Sequence, residues 1–405
     1  MTAPRPRACV LGSMDLVRPL GLAGIRCVAA ARPGAPPRFS RFTAARLAWS
    51  DPWRHPDVLA GTLLAFGATQ PEPPVLFYEE DGDLLFISRW RETLSRAFRF
   101  VVPDATLVED LVDKERFQRL ATALTLPVPG ARRFDPATER PGELGLRFPV
   151  VLKPLTRRPE SWDPVAGGAK ALRVDTPPEL AALWRRLAAA GLPLLAQELV
   201  PGAEHRIESY HAYVRPGGEV VGEFTGRKIR TWPLERGEST ALELTDACDV
   251  AALGRDVLAR LRFAGVAKLD FKRDPAGRLW LLEINPRFNL WHHLGAVAGV
   301  NLPALVYADL TGSGADGARH TPTRARPGAH WCRPWVDWRA ARATGLPLWR
   351  WAPWALACDA KSVVAWDDPL PLLGAAVCRP LRSAARAIAA GYSLEPTDRR
   401  RSPSL

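Results

Sequence analysis

The stretch VAKLDFKRDPAGRLWLLEINPRFN, residues 266–289, limits the folds open to this chain more than any other. Two apolar runs flank DPAG, a turn-forming tetrapeptide, and together they read as a β-hairpin. Asp270 interrupts the first run and Glu283 the second. Asn285 and Arg287 follow Glu283 at two-residue steps; side chains on a strand alternate, so these three share a face. A solvated edge explains one carboxylate on a strand. It does not explain two carboxylates embedded in VAKLDF and LWLLEI. If the runs pair across the turn, the oxygen donors of Asp270, Glu283 and Asn285 converge. Hard divalent cations such as Mg2+ take such donors and commonly bridge to substrate phosphates.

The use of basic residues points the same way. Only seven of the 55 are lysines (114, 153, 170, 228, 268, 272 and 361), and six of those lie between 114 and 272. A lysine ammonium is a compact charge on a flexible stem, suited to gripping phosphate oxygens. The arginines spread along the whole chain, with no dense patch before DRRR at 398–401, so the net charge of +12 does not mark a nucleic-acid binder. No apolar stretch of about 18 residues suggests a membrane span. The first residues lack the apolar core of a secretory signal, and the six cysteines lack metal-ligand spacing, so the expectation is a cytoplasmic protein with reduced thiols.

Residues 7–31 read as strand, helix, strand, the opening of a βαβ unit, and Val75–Tyr78 as a further strand. Glycines 12, 21 and 24 do not form the nicotinamide-cofactor fingerprint. Leu107, Leu111, Phe117, Leu120 and Leu124 have helical spacing, and LPVPG ends that helix. FPVVLKPL reads as a strand, RRPESWDPVAGGAK as a turn-rich loop, AKALRV as a strand and PPELAALWRRLAAAG as a helix. Strand, break and strand follow in 192–214, two strands in GEVVGEFTGRKIRTWP, and a helix in DVAALGRDVLARLRFAG. The Gly-rich 311–328 stretch marks a linker, and the remainder is rich in Trp, Pro and Arg.

In this order the segments resemble the ATP-grasp superfamily. DKERFQRLATALTLPVP is similar to the segment that opens the ATP-grasp region, and FPVVLKP to the strand whose lysine meets nucleotide phosphates. VAGGAK resembles the glycine loop that covers them, and QELVPGAEHR the hinge that holds adenine and ribose. LDFKRDPAGRLWLLEINPRFN is similar to the metal-binding hairpin and is the most specific stretch; GRKIR (226–230) brings the carboxylate–amine ligases closest. The resemblance implies an α/β and α+β chain: an open α/β pre-ATP-grasp layer (1–105), two α+β ATP-grasp subdomains (106–190 and 191–312, the second with the hairpin), and a Trp-rich C-terminal extension (313–405).

It also implies roles. Lys114 and Lys153 would bind phosphate oxygens, and Lys170 would close the loop side. Glu198 would sit by the adenine amino group, the backbone of Leu199 and Val200 would read the base edge, and Glu204 would bind ribose hydroxyls. Asp270, Glu283 and Asn285 would hold two Mg2+ ions, or Mn2+. Lys268 stands where relatives often carry arginine against the transferring phosphate. Arg287 would face the acyl phosphate or the substrate carboxylate, with Lys228 and Arg230, two apart on a strand, on the substrate side. The implied reaction is ATP-dependent activation of a carboxylate as an acyl phosphate and its capture by an amine. Formation of a thioester or a carboxylation product, or nucleotide binding without ligase activity, stays open. Small-molecule acid and amine partners and a homodimer are the expectation. A basic amphipathic stretch at 366–392, with Arg379, Arg382 and Arg386 on its polar side, fits packing against the body of the protein or a membrane surface.

Overall fold

The computed structural model describes residues 5–140, 144–156, 159–167, 169–234, 237–313, 324–374 and 376. Four parallel strands, β1 (Ala8–Leu11), β2 (Cys27–Ala30), β3 (Thr43–Leu47) and β4 (Val75–Tyr78), make the first sheet in the order β3-β2-β1-β4. β1, β2 and β4 are buried at every position, as parallel strands covered by helices are. The helices are α1 (Met14–Leu22), α2 (Pro56–Ala68), α3 (Asp81–Arg89) and the single turn α4 (Arg91–Leu94). The strand order reverses between β1 and β4. Crevices outside the carboxyl ends of strands at such a reversal are where open α/β sheets take ligands.

Two helices, α5 (Ala105–Val112) and α6 (Lys114–Ala123), stand where the apolar spacing suggests one. Asp113 breaks them: its backbone is extended and its carboxylate accepts from the amides of Glu115 and Arg116, capping α6. Lys114 thereby becomes the first residue of α6.

The second sheet is antiparallel, in the order β5-β8-β6-β7, with β5 (Ala131–Phe134), β6 (Val150–Pro154), β7 (Leu172–Val174) and β8 (Leu194–Glu198). α7 (Pro159–Ala166) fills much of the stretch that reads as a loop, and α8 (Pro177–Ala189) backs the sheet. α7 forms despite its prolines because Trp162 anchors it: the ring is buried and its Nε1 donates to the Ala169 carbonyl at 2.9 Å. Gly167 follows in the left-handed region, and Gly168 lies outside the described residues.

The third sheet has seven strands, β9 (Ile207–Val214), β10 (Val220–Trp232), β11 (Glu238–Thr245), β12 (Gly265–Arg273), β13 (Leu279–Asn285), β14 (His330–Cys332) and β15 (Ala360–Lys361), in the order β13-β12-β9-β10-β11-β14-β15. The 218–233 stretch is thus one 13-residue strand rather than two. Gly277, at φ +85°, turns β12 into β13. Five helices cover the sheet and its edge: α9 (Cys248–Arg260), α10 (Trp291–Val297), α11 (Leu302–Thr311), α12 (Pro334–Ala343) and α13 (Leu348–Ala357). α10 approaches closely because Gly226 has no side chain; a Cβ there would sit 2.3 Å from the Trp291 ring. Residues 330–361 extend the sheet edge. The tail with Arg379, Arg382 and Arg386, and positions 314–323, lie outside the described residues. Among the described residues no single helix is long and apolar enough to cross a membrane, and Cys9, Cys27, Cys248, Cys332 and Cys358 are free thiols.

Candidate active site

The hairpin places the two embedded carboxylates directly opposite each other: Asp270 pairs with Glu283, and Lys268 with Asn285. A β-bulge makes this possible. The register jumps from Asp270↔Glu283 to Phe271↔Leu281, leaving Leu282 as the extra residue. With strict alternation Glu283 would share the buried face of Leu279 and Leu281. The bulge turns it outward, and the core face resumes at Ile284.

Asp270 is buried and carries the densest set of contacts. Its Oδ2 accepts from Lys268 Nζ at 2.7 Å and from Lys228 Nζ at 3.4 Å, and its Oδ1 accepts from the Ser209 hydroxyl. Desolvation would raise its carboxyl, but the two ammonium groups outweigh it and hold Asp270 far below the usual carboxylate range. Glu283, at the lip of the cleft, is also lowered: desolvation and Asp270 push it up, and Lys268, Lys228 and Lys170 outweigh them. Asn285 Nδ2 donates to Glu283 Oε1 at 3.2 Å.

Glu283 and Asn285 border an open cleft of about 530 Å³, its mouth included, between the second and third sheets. Lys114, Lys153, Gln197, Leu282, Glu283 and Asn285 line it. Lys153 donates to the Gln197 side chain at 2.8 Å; with that neutral partner, burial pulls its ammonium down to about 8. Lys114 Nζ donates to the Leu155 carbonyl at 3.3 Å. Lys170, beyond α7, is near enough to Glu283 and Glu238 for mutual electrostatic influence.

The hairpin also reaches the first sheet. Arg287 donates to Asp81 Oδ1 at 2.5 Å, to the Glu79 carbonyl at 2.7 Å and to Asn285 Oδ1 at 3.2 Å. Asp81 lines the same cleft. Ser13, after β1, donates to Glu79 through both its amide (2.5 Å) and its hydroxyl (3.0 Å). The carboxyl end of β4 is therefore held against the hairpin, and Arg287 is the tie.

Two expected residues, Arg230 and Glu198, stand elsewhere. Arg230 does not join Lys228. A bulge between them breaks the two-residue alternation, and Arg230 makes a two-pronged ion pair with buried Asp337 of α12 at 2.7 and 2.8 Å. Glu198 points away from the cleft, opposite to Gln197 on β8, and its carboxylate accepts from Arg147 at 2.9 Å. The Leu199 amide donates to the Pro149 carbonyl at 2.9 Å, so it does not present a donor to a base edge. Val200 is buried just beyond; Glu204 accepts from the Thr231 hydroxyl at 2.6 Å and stands within electrostatic reach of Lys228. Gln197, Ser209, Leu282 and Asp81 were not anticipated. Gln197 had a signal of the same kind as Glu283: a polar side chain inside the apolar run LLAQ. Ser209 and Asp81 depend on cross-strand and inter-sheet placement and had none.

Two facing carboxylates and an amide suit a hard oxygen-seeking cation. Among the described residues no three His, Cys, Asp or Glu side chains gather into a metal cage. The protein would supply two or three oxygens, with phosphates and water as the rest, which is how Mg2+ is commonly held.

No protein-family profile matches the chain. The chain is similar in sequence to curated ligases. A D-alanine–D-alanine ligase of Halorhodospira halophila is 27% identical over 215 residues, 48% of this chain and 64% of the relative. A D-aspartate ligase of Enterococcus faecium is 25% identical over 238 residues, 56% of each chain. The match thus spans less than two thirds of either relative's length. Among solved structures, biotin carboxylase from Campylobacter jejuni superposes with a TM-score of 0.59 at 12% identity, covering 81% of this chain and 74% of the other. An L-amino acid ligase from Bacillus licheniformis gives 0.58 at 14% identity, covering 82% and 79%. The chain shares the fold of these structures and resembles the ATP-grasp superfamily. Because a carboxylase and a ligase share the fold, the fold alone does not choose the bond formed.

Proposed function

We propose that this protein is an ATP-dependent ligase that activates a carboxylate as an acyl phosphate and joins it to an amine, releasing ADP and phosphate. The observation that carries the reading is the cross-strand pair of Asp270 and Glu283, with Lys228 and Lys268 bonded to Asp270 and Lys153 lining the same cleft as Glu283. Both relatives bear the names of amino-acid ligases, which makes amino acids the first substrates to try.

Each residue has a part in that chemistry. Lys153 and Lys114 draw the phosphate chain into the cleft. Lys268 and Lys228 stand on either side of Asp270 and neutralise charge that spreads over the transferring phosphoryl oxygens, which is most of what such a transfer needs. Asp270, Glu283 and Asn285 would hold Mg2+, which when bound screens the phosphate charge and fixes the phosphates' orientation. Ser209 orients Asp270. Gln197 offers the base an amide edge, and Leu282 an apolar wall. Arg287, already held by Asp81, orients the acid near the crevice of the first sheet, from which the amine would attack the acyl carbon and expel phosphate. Arg230 has no part in the transfer.

The test is ADP release by the full chain across pairs of amino acids and small acids, with the product identified by mass. Release that needs both an acid and an amine, with an amide as product, is expected. Release that needs bicarbonate would assign carboxylation, and nucleotide binding with no turnover in any mixture would assign a binding module. Asp270→Asn should lower turnover at least about 1,000-fold. Retention of full turnover in that variant contradicts the proposed site.

A further inference from the structure

The far edge of the third sheet carries a surface that the ligase reading does not use. α12 and α13 pack on each other through Trp338 and Trp351, whose rings lie 5.1 Å apart, while Asp337, Ala340, Ala341 and Ala355 face inward. The outer faces are a different kind of surface. On α12, Trp335, Arg339 and Arg342 recur at helical spacing, all exposed. On α13, Trp349, Pro353 and Leu356 do the same, with Leu348 and Arg350 beside them. Trp335 is 72% exposed, Leu348 54%, Trp349 68% and Leu356 72%. Four exposed large apolar side chains on two adjacent helices, three of them on α13, exceed the scattered exposure ordinary for a protein surface.

The charge on this surface has one sign. Between Arg333 and Ala357 the only acidic residue is Asp337, which is buried and paired with Arg230. Arg339, Arg342 and Arg350 have no carboxylate partner among the described residues; Arg350 instead lies 4.7 Å over the Trp349 ring. The sequence beyond, 377–405, adds six arginines against two acids.

We propose that the outer face of α12 and α13 docks on an anionic lipid surface. The charge complementarity decides the occupant. A second copy would set arginines against arginines, and the chain's own basic tail would repel the patch. A lipid bilayer accepts Trp and Leu into its interface and places phosphates beside the arginines, the composition of a helix lying in the plane of a membrane. The basic tail supplies a second attraction of the same sign, and interfacial anchoring generally takes two signals. This inference stands independently of the substrate of the nucleotide cleft.

Vesicle flotation of the full chain tests it, with neutral phosphatidylcholine vesicles against vesicles that also contain phosphatidylglycerol. The chain should float with the anionic vesicles only, and high salt should weaken the binding. Trp349→Ser combined with Leu356→Ser, and Arg342→Glu combined with Arg350→Glu, should each lower partitioning about ten-fold or more. Both variants should leave thermal unfolding and nucleotide binding unchanged, because the side chains are exposed. Equal flotation with neutral vesicles, or flotation indifferent to both variants, overturns the proposal. A concentration-dependent dimer that the apolar variant dissolves would make the face a self-contact. Retention on polyaspartate without flotation would make it an acidic protein's site.

Discussion

Lys153 illustrates how one position couples burial to binding. Its hydrogen-bond partner is neutral, and desolvation outweighs the opposing pull of Glu283 and Asp270, so its ammonium falls to about 8. Below that pH it is charged and able to grip phosphate; above it the nucleotide-free protein loses the charge. ATP affinity should therefore fall as pH rises through about 8, approaching ten-fold per pH unit from this group alone. Lys153→Arg should flatten that fall, since a guanidinium stays protonated. Calorimetric titration of ATP between pH 7 and 9.5 measures both. An unchanged pH slope in the arginine variant would show that another group controls it. Asp270 is the opposite case: two ammonium groups and a hydroxyl hold it charged, so it should show no titration in the same range.

At the scale of elements, bulges decide what each strand presents. The bulge at Leu282 brings Glu283 to the cleft, whereas the bulge between Lys228 and Arg230 separates two basic residues that spacing alone would unite. Arg230 then fastens β10 to α12, with Thr240 and Trp351 also donating to Asp337. Arg230→Met should cost about 3–5 kcal/mol of stability by leaving Asp337 buried without its countercharge. Turnover at a temperature where the variant stays folded should be unchanged. A specific loss of turnover with an unaltered melting temperature would return Arg230 to the substrate side. α10 presents a second case. His292 is fully buried, neither ring nitrogen has a hydrogen-bond partner among the described residues, and burial pulls its imidazole down to about 3. An unfolded chain protonates this residue near 6.5, so the folded state loses stability as pH falls from about 6.5 toward 3. His292→Phe should remove that part of the acid sensitivity and leave neutral-pH stability equal or higher, because no hydrogen bond is lost. Urea unfolding at pH 5 and 7.5 reports both effects, and a less stable variant at pH 7.5 would disprove the account.

For the whole molecule, the question is what joins its layers. Arg18 on α1 donates to the carbonyls of Lys361 and Val363 at 2.7 Å and of Ser362 at 3.0 Å, so a side chain of the first sheet's helix clamps the strand end after β15. Asp15, one turn earlier, accepts from Trp331 and Ser362, each at 2.8 Å. With Arg287 on the cleft side, these contacts hold the N-terminal layer against the third sheet at two separate places. Arg18→Met should cost about 2–3 kcal/mol, since charge-assisted hydrogen bonds to carbonyls are lost. It should also speed proteolysis after residue 358. Equal melting temperatures and digestion rates would place the coupling elsewhere.

The sequence by itself determined the hairpin and its embedded acids and set apart the rare lysines, because each of these is a local pattern: apolar runs, a turn, polar residues out of phase with their surroundings. The layer order and the roles of Lys114 and Lys153 rested on the resemblance. The sequence left ambiguous the side each side chain faces. One extra residue in a strand reverses the alternation, and no local pattern marks it, so Glu283 and Arg230 were settled only when the strands paired. The helix around Trp162 depends likewise on burial that only packing creates, and the clamp of Arg18 on partners more than 340 residues away in the chain. Local chemistry set which residues could carry charge into the cleft, and tertiary contact decided which of them arrive there.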